Sequence, residues 1–195
     1  YHVAGIERIV GGSGSNTLIG PDGGATWYLS GDNTVTLGAC TFSGVQHLKG
    51  SATGADTFVI QDNARWSGTI DGGGGTDTLD AGPVRAGLLF TINTDGSVAL
   101  STAPDTWSAL GLIPQEVLSL LTDGISIENV TNIGRLIGGS GDNSFAFQDG
   151  TTFTGTIDGG AGVLNTLDYS ACTGPVTVNF TSRTATGTGG IDHIN

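Results

Sequence analysis

The chain has 195 residues, of which 35 are glycine, while hydrophobic residues still make up 37% of it. Glycine is far above its usual share of about 7%, but no G-X-Y period runs through the sequence, so a collagen-like chain and simple disorder are both excluded. The formal net charge is −12, and only six residues are Lys or Arg. Because these six are scattered, no basic cluster is available to neutralise phosphates, and nucleic acid is a poor partner.

The sequence contains no apolar run as long as the ~18 residues that a membrane-spanning helix requires, so it predicts no membrane span. Its start also lacks the basic and apolar regions of an export signal. The chain opens within a repeating pattern, at residues 5–9, and closes within it, at residues 190–194. We therefore predict that residues 1–195 form one segment of a longer repeat protein, whose export signal lies outside this segment.

Short apolar runs separated by glycine-rich turns fill residues 1–50. An apolar stretch at 6–10 is followed by the turn Gly-Gly-Ser-Gly at 11–14 and by a second apolar stretch at 17–19. Apolar residues at 27–29 and an alternation of Thr with Val or Leu at 34–37 continue the pattern. Alternation with a period of two is typical of half-buried strands, so this region predicts short strands joined by tight turns.

The longest internal repeat relates residues 56–80 to residues 143–168. When one extra residue, Leu164, is allowed in the second copy, 13 of the first copy's 25 positions are identical. The identical positions include the block Gly-Thr-Ile-Asp-Gly-Gly at 68–73 and 155–160. Such a repeat predicts one structural unit that is used twice, and it carries more weight than any single motif.

A shorter unit recurs within and outside this repeat. In each case an Asn or Asp follows a glycine-rich stretch and precedes a Thr or Ser and an apolar residue, and these units begin at Asn16, Asn33, Asp56, Asp77, Asn143 and Asn165. Within each uninterrupted region their spacing is about 20 residues, which is the length of one coil of a solenoid. Coils stacked ~4.8 Å apart would pair every strand edge and would align the Asn and Asp side chains into ladders. We predict an all-β fold, a parallel β-solenoid of the β-helix or β-roll type.

Residues 103–124 interrupt the repeat with apolar residues at helical spacing. Pro104 and Pro114 stand at positions typical of a helix start, and Gly124 at a position typical of a helix end. We predict a short helical insertion here. It would either fold back to cover a flank of the solenoid or protrude and contact a neighbouring module or partner.

One glycine-rich turn has the pattern of a calcium site. Residues 72–80, Gly-Gly-Gly-Gly-Thr-Asp-Thr-Leu-Asp, fit the calcium-binding nonapeptide G-G-x-G-x-D-x-U-x at every specified position. Glycines permit turn geometry in which carbonyl groups point inward, and the carboxylate of Asp77 would add charge for a hard cation. The other turns depart from the pattern, with Asn16 and Asn143 in place of aspartate and Asp142 displaced by one residue.

On these motifs the chain resembles the RTX, or haemolysin-type, repeat proteins, and more closely the large secreted bacterial surface proteins that carry degenerate RTX-like segments. The resemblance covers most of the chain outside the helical insertion. It implies export, a parallel β-roll or β-helix, and often bound Ca²⁺. The predicted calcium ligands are Gly72, Gly74 and Asp77, with Asp56 one coil away and Asp142 in the second copy. The alternative is an Asn/Asp ladder that needs no metal.

Residues with catalytic potential are few. Carboxylates are paired in both copies of the repeat, and these pairs, Asp71 with Asp80 and Asp158 with Asp168, flank glycine turns. Since they recur with the repeat, we predict a structural role for them. The three histidines, His2, His47 and His193, are isolated in the sequence. Cys40 and Cys172 would lie several coils apart, so we interpret both as small apolar residues instead of a disulfide.

The function predicted from the sequence is a non-catalytic extracellular module, either a stalk, an adhesin or a filament-forming element, that is secreted or held at the bacterial cell surface. Its partners would be neighbouring repeats of the same protein, identical chains joined end to end, or a cell-surface or polysaccharide ligand.

Two alternatives stay open. A polysaccharide-active β-helix enzyme of the lyase or epimerase type would gather Arg65, Arg85 and Tyr169 in a groove. A carbohydrate-binding module would expose Trp27, Trp66 and Phe153 as a stacking stripe, although these aromatic residues also fit a core position.

Overall fold

The structure is a computed structural model that describes residues 5–102 and 125–192. Strands account for all the regular secondary structure of these residues, and none of them is helical. The strands are β1 (Arg8–Val10), β2 (Thr17–Ile19), β3 (Thr26–Asp32), β4 (Thr34–Leu37), β5 (Cys40–Ser43), β6 (His47–Lys49), β7 (Thr57–Arg65), β8 (Thr69–Asp71), β9 (Thr78–Asp80), β10 (Leu88–Ile92), β11 (Val98–Thr102), β12 (Ser126–Thr131), β13 (Arg135–Ile137), β14 (Asn143–Phe147), β15 (Phe153–Asp158), β16 (Thr166–Asp168), β17 (Val178–Asn179), β18 (Thr184–Ala185) and β19 (Thr188–Asp192).

Two large sheets contain nearly all of these strands. The nine-stranded sheet has the order β1-β5-β4-β3-β7-β9-β13-β15-β19, and the eight-stranded sheet has the order β16-β14-β10-β11-β12-β8-β6-β2. A small sheet pairs β17 with β18. Along most of the chain, successive strands alternate between the two large sheets, so each glycine-rich turn carries the backbone from one sheet to the other.

The β-rich character predicted from the sequence is confirmed for the described residues, but the parallel β-solenoid is wrong. Both large sheets are mixed: β3, β4 and β5 pair antiparallel in one, and β10, β11 and β12 pair antiparallel in the other. The reason lies in tight turns within a sheet. Gly38 has a φ of 59° between β4 and β5, and Gly96 has a φ of 80° between β10 and β11. These turns return the chain beside the strand that it has just left, instead of leading it to the facing sheet.

The predicted helical insertion, residues 103–124, lies outside the described residues. In the part of the chain that is described, no helix has the length and apolar character that crossing a membrane requires.

The two large sheets share one hydrophobic core. A single cluster of buried side chains includes Leu29 and Leu79 from the nine-stranded sheet and Ile70 and Phe90 from the eight-stranded sheet. Strands expose alternate residues to this core, as in β10, where Leu88, Phe90 and Ile92 are buried and the two residues between them are half-buried. Period-two alternation therefore produces the core.

In-register pairing places like residues beside each other within this core. Trp27 is opposite Phe58 in the register of β3 and β7, and the two rings stack with centroids 5.3 Å apart. Phe90 is opposite Phe145 in β10 and β14, with ring centroids 4.6 Å apart. Stacked aromatic pairs contribute about 0.5–1.5 kcal/mol each beyond the burial of their surface.

The turns between the two sheets form two rows on opposite edges. β7, β9 and β13 are parallel, so a turn that precedes β7 or β9 lies at the other end of the strands from the turn that follows β13. We call the first row the aspartate edge, defined by turns 50–56 and 72–77, because these contain Asp56 and Asp77. We call the second row the asparagine edge, defined by turns 11–16, 138–143 and 159–165, because these contain Asn16, Asn143 and Asn165.

Candidate metal centre and turn ladders

The structure brings Asp56 and Asp77 together on the aspartate edge. Each residue immediately precedes a strand, β7 or β9, and these strands are neighbours. The backbone N–H of Asp56 donates to Asp77 Oδ1 over 2.7 Å. Both residues are buried, with 0% and 1% of their surface exposed. The nonapeptide pattern therefore identified an aspartate that contacts the neighbouring turn. That contact is with the backbone N–H of a second aspartate, Asp56.

The carboxylate of Asp56 is fully used by protein donors. Its Oδ1 accepts hydrogen bonds from the N–H of Ala25 and from Nε1 of Trp27, each over 2.8 Å. Its Oδ2 accepts from the N–H of Ser51 over 2.7 Å. These contacts tie the turn before β7 to the start of β3 and to the aromatic core. They explain why a charged side chain is tolerated with no exposure to water.

The carboxylate of Asp77 is only half satisfied. Its Oδ2 is buried and has no hydrogen-bond partner. Burial raises the pKa of Asp77, and the negative charges of Asp56 and Asp71 raise it further, whereas the hydrogen bond from the Asp56 backbone lowers it. The net result is a pKa above the usual value for aspartate. A buried acceptor without a donor is costly, so this oxygen is the one in the pair that is available to a cation or to a proton.

Gly72 and Gly74 lie in the same turn, and close packing requires glycine there. A Cβ atom on Gly72 would meet the carbonyl oxygen of Asn132, and it would lie 2.8 Å from Asp77 Oδ2. Gly74 donates its N–H to the carbonyl of Ser51 over 2.9 Å, and a Cβ atom there would meet the carbonyl of Ala52. The absence of a side chain at these two positions therefore allows the neighbouring turns to pack in contact.

Asp142 does not join this group. It precedes β14 in the turn that follows β13, so it lies on the asparagine edge, away from Asp77. It is exposed, and its Oδ1 accepts a hydrogen bond from the N–H of Leu164 over 2.8 Å. The sequence pattern names Asp142 because it stands one residue from the position that aspartate occupies in the calcium-binding nonapeptide. The copies begin with strands of different sheets, β7 and β14, so their first aspartate or asparagine residues lie on opposite edges.

The residues fit a metal ion only in part. Three of the four carboxylate oxygens of Asp56 and Asp77 accept N–H donors, which leaves Asp77 Oδ2 as the one oxygen free to bind Ca²⁺. Within residues 5–102 and 125–192, no three His, Cys, Asp or Glu side chains are grouped closely enough to hold a metal ion. Calcium binding stays a prediction, and it would depend on this oxygen together with backbone carbonyls.

On the asparagine edge, Asn143 makes the most extensive contacts. Its Nδ2 lies within hydrogen-bond distance of the carbonyls of Gly139, Gly141 and Gly159, at 3.1, 2.6 and 2.9 Å, and of Asn165 Oδ1, and its two hydrogens are shared among these four acceptors. Its backbone N–H donates to the same Asn165 oxygen over 3.0 Å. One buried amide therefore fixes its own turn and joins it to the next turn in the row.

Asn16 repeats this arrangement in the first turn of the chain. Its Nδ2 donates to the carbonyls of Gly12 and Gly14 in its own turn and to the carbonyl of Gly44 in the neighbouring turn. The asparagine therefore has a specific role, because its amide supplies a donor that a carboxylate lacks. The sequence pattern treated Asn and Asp as degenerate versions of one calcium ligand, whereas the structure uses them for different hydrogen bonds.

The paired carboxylates of the repeat stabilise turns. Each ends a strand, and its Oδ1 accepts the N–H of the second residue that follows; the pairs are Asp71 with Gly73, Asp80 with Gly82, Asp158 with Gly160 and Asp168 with Ser170. This local bond is a known device of aspartate at turns. It accounts for the recurrence of these residues without any catalytic role.

Asp71 also has a perturbed pKa. Partial burial is the largest single influence and raises the pKa. Hydrogen bonds from Asn132 and Gly73 and the charge of Lys49 together outweigh burial, so the pKa of Asp71 lies below its usual value. Lys49 is 3.6 Å from Asp71 Oδ2 on the outward face of the sheet.

The aromatic stripe of the carbohydrate-binding alternative is not formed. Trp27, Trp66 and Phe153 are 0%, 1% and 4% exposed, so they belong to the core and present no stacking face to a sugar. Each of the three residues named for the enzyme alternative has a partner outside that set. Arg65 pairs with Asp32 and Arg85 with Asp62, while the hydroxyl of Tyr169 donates to the carbonyl of Thr186.

His47 is the residue with chemical potential that the sequence pattern missed. Its Nε2 lies 2.6 Å from Ser15 Oγ, and its Nδ1 lies 2.8 Å from Thr69 Oγ1. These two partners come from one neighbouring strand and one neighbouring turn, 22 and 32 residues away in sequence. No local motif could have indicated this contact.

No protein-family model, no curated protein and no solved structure matches the chain. The resemblance to RTX-like proteins therefore stays a prediction.

Proposed function

We propose that the chain is a mechanical module of an exported bacterial surface protein, in which it serves as a stalk, an adhesin segment or a filament-forming element. The observation that carries this proposal is the contact set of Asn143. The amide nitrogen of this single buried side chain shares its two hydrogens among three glycine carbonyls and the next asparagine in the row. Such contacts join successive turns along the direction in which the strands stack.

The sheet pairing supports the same role. Within each sheet, neighbouring strands are joined by backbone hydrogen bonds from one edge strand to the other. One hydrophobic core lies between the two sheets. A force along the direction of stacking would act on these backbone bonds and on the turn contacts together. The net charge of −12 keeps a β-rich chain soluble by self-repulsion, which suits a protein that is exposed outside the cell.

Export, the cell-surface location and a polysaccharide or cell-surface ligand belong to this proposal through the likeness of the glycine-rich turns to RTX-like segments. Identical chains or neighbouring repeats of the same protein are the proposed partners. Calcium bound at Asp77 would strengthen the aspartate edge by satisfying the carboxylate oxygen that has no donor.

The experiment that tests the mechanical role is single-molecule force unfolding of the chain held between two marker domains. We expect the unfolding force of Asn143→Ala to be clearly lower than that of the wild type, because the side-chain contacts within its own turn and with the next turn are lost together. Asn179→Ala is the matched control, since the Asn179 side chain accepts only from nearby Thr181 and Ser182. Equal unfolding forces for the wild type and Asn143→Ala would contradict the proposal.

A further inference from the structure

The outward face of the eight-stranded sheet carries a side-chain cluster that the turn ladders do not use. β2, β6 and β8 are neighbours, and Thr17, His47 and Thr69 are opposite one another in their register. Ser15 lies two residues before Thr17, in the glycine-rich turn 11–16, and it is exposed. The strand pairing therefore brings a serine, a histidine and a threonine together from three separate parts of the chain.

The distances in this cluster match those of an activated serine. Ser15 Oγ is 2.6 Å from His47 Nε2, and His47 Nδ1 is 2.8 Å from Thr69 Oγ1. When the ring proton is on Nδ1, His47 donates to the Thr69 hydroxyl, and its Nε2 accepts from the Ser15 hydroxyl. A nucleophile bonded to a base that a third group orients is the general arrangement of covalent catalysis.

We propose that Ser15 is a nucleophile activated by His47, and that it accepts acyl groups from small carboxylic esters. Thr69 is a positioning residue, because it acts on the reaction only through the His47 ring. This role is independent of the mechanical function and would be additional to it.

The surroundings of Ser15 leave room for such a substrate. Positions for a Cβ atom on Gly12 and on Gly14 have no other atom within 4 Å, so the turn beside Ser15 is open. On β6 and β8, Lys49 forms an ion pair with Asp71, and each of these residues lies two positions beyond His47 or Thr69. Given the net charge of −12, neutral or cationic esters would approach more readily than anionic ones.

The chemistry uses only these groups, the ester and water. Ser15 Oγ would attack the ester carbonyl carbon while its proton passes to His47 Nε2. The tetrahedral intermediate would then expel the alcohol, which takes the proton from Nε2, and Ser15 would be left as an acyl ester. Water would hydrolyse this ester by the same route, with His47 as the base, and return Ser15 to its starting state.

The test is covalent labelling of the folded protein with a fluorophosphonate, followed by mass spectrometry of the intact chain and of its peptides. The reagent replaces the ester: the serine oxygen bonds to phosphorus, fluoride leaves, and the adduct is stable. We expect the wild type to be labelled at Ser15 and His47→Gln to be labelled at least about 100-fold more slowly, as general-base catalysis would require. Ser15→Ala should lose the adduct.

Ser13→Ala is the matched control, because Ser13 lies in the same exposed turn, and within the described residues the hydrogen bonds of His47 go to Ser15 and Thr69. Its labelling rate should equal that of the wild type. Thr69→Val should slow labelling and Thr69→Ser should restore it, a distinction that a purely structural role of Thr69 would not produce. Absence of an adduct on the folded wild type, equal labelling of Ser13 and Ser15, or an unchanged rate in His47→Gln would overturn the proposal.

Discussion

Asp56 and Asp77 show how neighbouring residues of the same type can have opposite energetic roles. Asp56 accepts three N–H donors, so each of its oxygens needs to be an acceptor. Asp77 Oδ2 accepts none. Asp77 Oδ2 and the carbonyl oxygen of Asn132 both lie next to the position that a Cβ atom on Gly72 would occupy. On the asparagine edge, Asn143 Nδ2 and the carbonyl of Gly159 lie against Gly138 in the same way and form a hydrogen bond.

This comparison predicts that Asp77→Asn stabilises the protein and Asp56→Asn destabilises it. The new amide at position 77 would supply a donor where an acceptor is unsatisfied, for a gain of about 1 kcal/mol in the free energy of unfolding. At position 56 the new NH2 group would face an N–H donor in place of the acceptor that the carboxylate supplies. This would lower the free energy of unfolding by about 1–3 kcal/mol. Chemical denaturation of the two variants and the wild type measures both. A loss of stability in Asp77→Asn equal to that in Asp56→Asn would refute this account.

The raised pKa of Asp77 predicts a pH dependence with a defined sign. Because its folded-state pKa lies above the ordinary value of 3.8, the folded state binds this proton more tightly than the unfolded state. The resulting stabilisation is fully present below pH 3.8 and is lost as the pH rises through the folded-state pKa. The advantage of Asp77→Asn over the wild type should therefore grow with increasing pH across this window.

Urea unfolding of both proteins at several pH values, from below pH 3.8 to neutrality, measures this difference. Asp71→Asn serves as the control of opposite sign. The pKa of Asp71 is lowered, so its carboxylate contributes stability that is present above pH 3.8 and lost as the pH falls through the folded-state pKa. A stability difference between Asp77→Asn and the wild type that is constant with pH would contradict the assignment.

The turns are the elements on which the two rows depend, and Gly73 shows why they require glycine. Its φ is 87°, and a Cβ atom there would meet the carbonyl oxygen of Ser51 in the neighbouring turn. The turn therefore needs both a left-handed backbone and the absence of a side chain. Gly12 and Gly14 meet neither condition, so glycine content by itself does not identify the critical turns.

We expect Gly73→Ala to cost about 1–3 kcal/mol, because it adds backbone strain and a steric clash between turns. Gly12→Ala is the matched control: its Cβ position is open and its backbone is not left-handed. Thermal unfolding followed by circular dichroism should show a clear loss of melting temperature for the first variant and little change for the second. Equal melting temperatures of Gly73→Ala and Gly12→Ala would show that the close packing of turns on the aspartate edge does not contribute to the stability of the protein.

At the scale of strands, the sequence predicted the elements better than their pairing. The apolar runs at 17–19, 27–29 and 34–37 lie in strands, as the short apolar segments between turns and the alternation at 34–37 indicated. Whether a strand pairs with its sequence neighbour or with a strand one turn away depends on the backbone conformation at the connecting residue. Gly38 and Gly96 reverse the chain within one sheet, whereas Gly73 and Gly160, which also have positive φ, lie in turns between sheets.

At the scale of the whole molecule, Ca²⁺ bound on the aspartate edge would stabilise the fold. If the ion binds Asp77 Oδ2, calcium should raise the melting temperature of the wild type, and a chelator should reverse the shift. Asp77→Asn should not respond, because its amide nitrogen cannot bind the ion. Asp142→Asn is the control, since Asp142 lies on the other edge and should respond as the wild type does.

Identical melting temperatures with calcium and with a chelator would assign the glycine-rich turns to a metal-free ladder. The mechanical proposal would stand in that case, because the contacts of Asn143 and Asn16 involve no ion. A calcium shift retained in Asp77→Asn would place the ion elsewhere on the acidic surface.

The sequence by itself determined the β-rich character, the short strands, the glycine-rich turns and the structural use of the paired aspartates. These depend on local properties: the side-chain period of two, the backbone freedom of glycine, and an aspartate that bonds the second residue after it. Tertiary structure decided the mixed sheets, the separation of the aspartate and asparagine edges, the unsatisfied oxygen of Asp77, and the meeting of Ser15 with His47. Each of these depends on which strands become neighbours. That outcome is set by the packing of one shared core and by the direction in which each turn leads the chain, neither of which a local pattern contains.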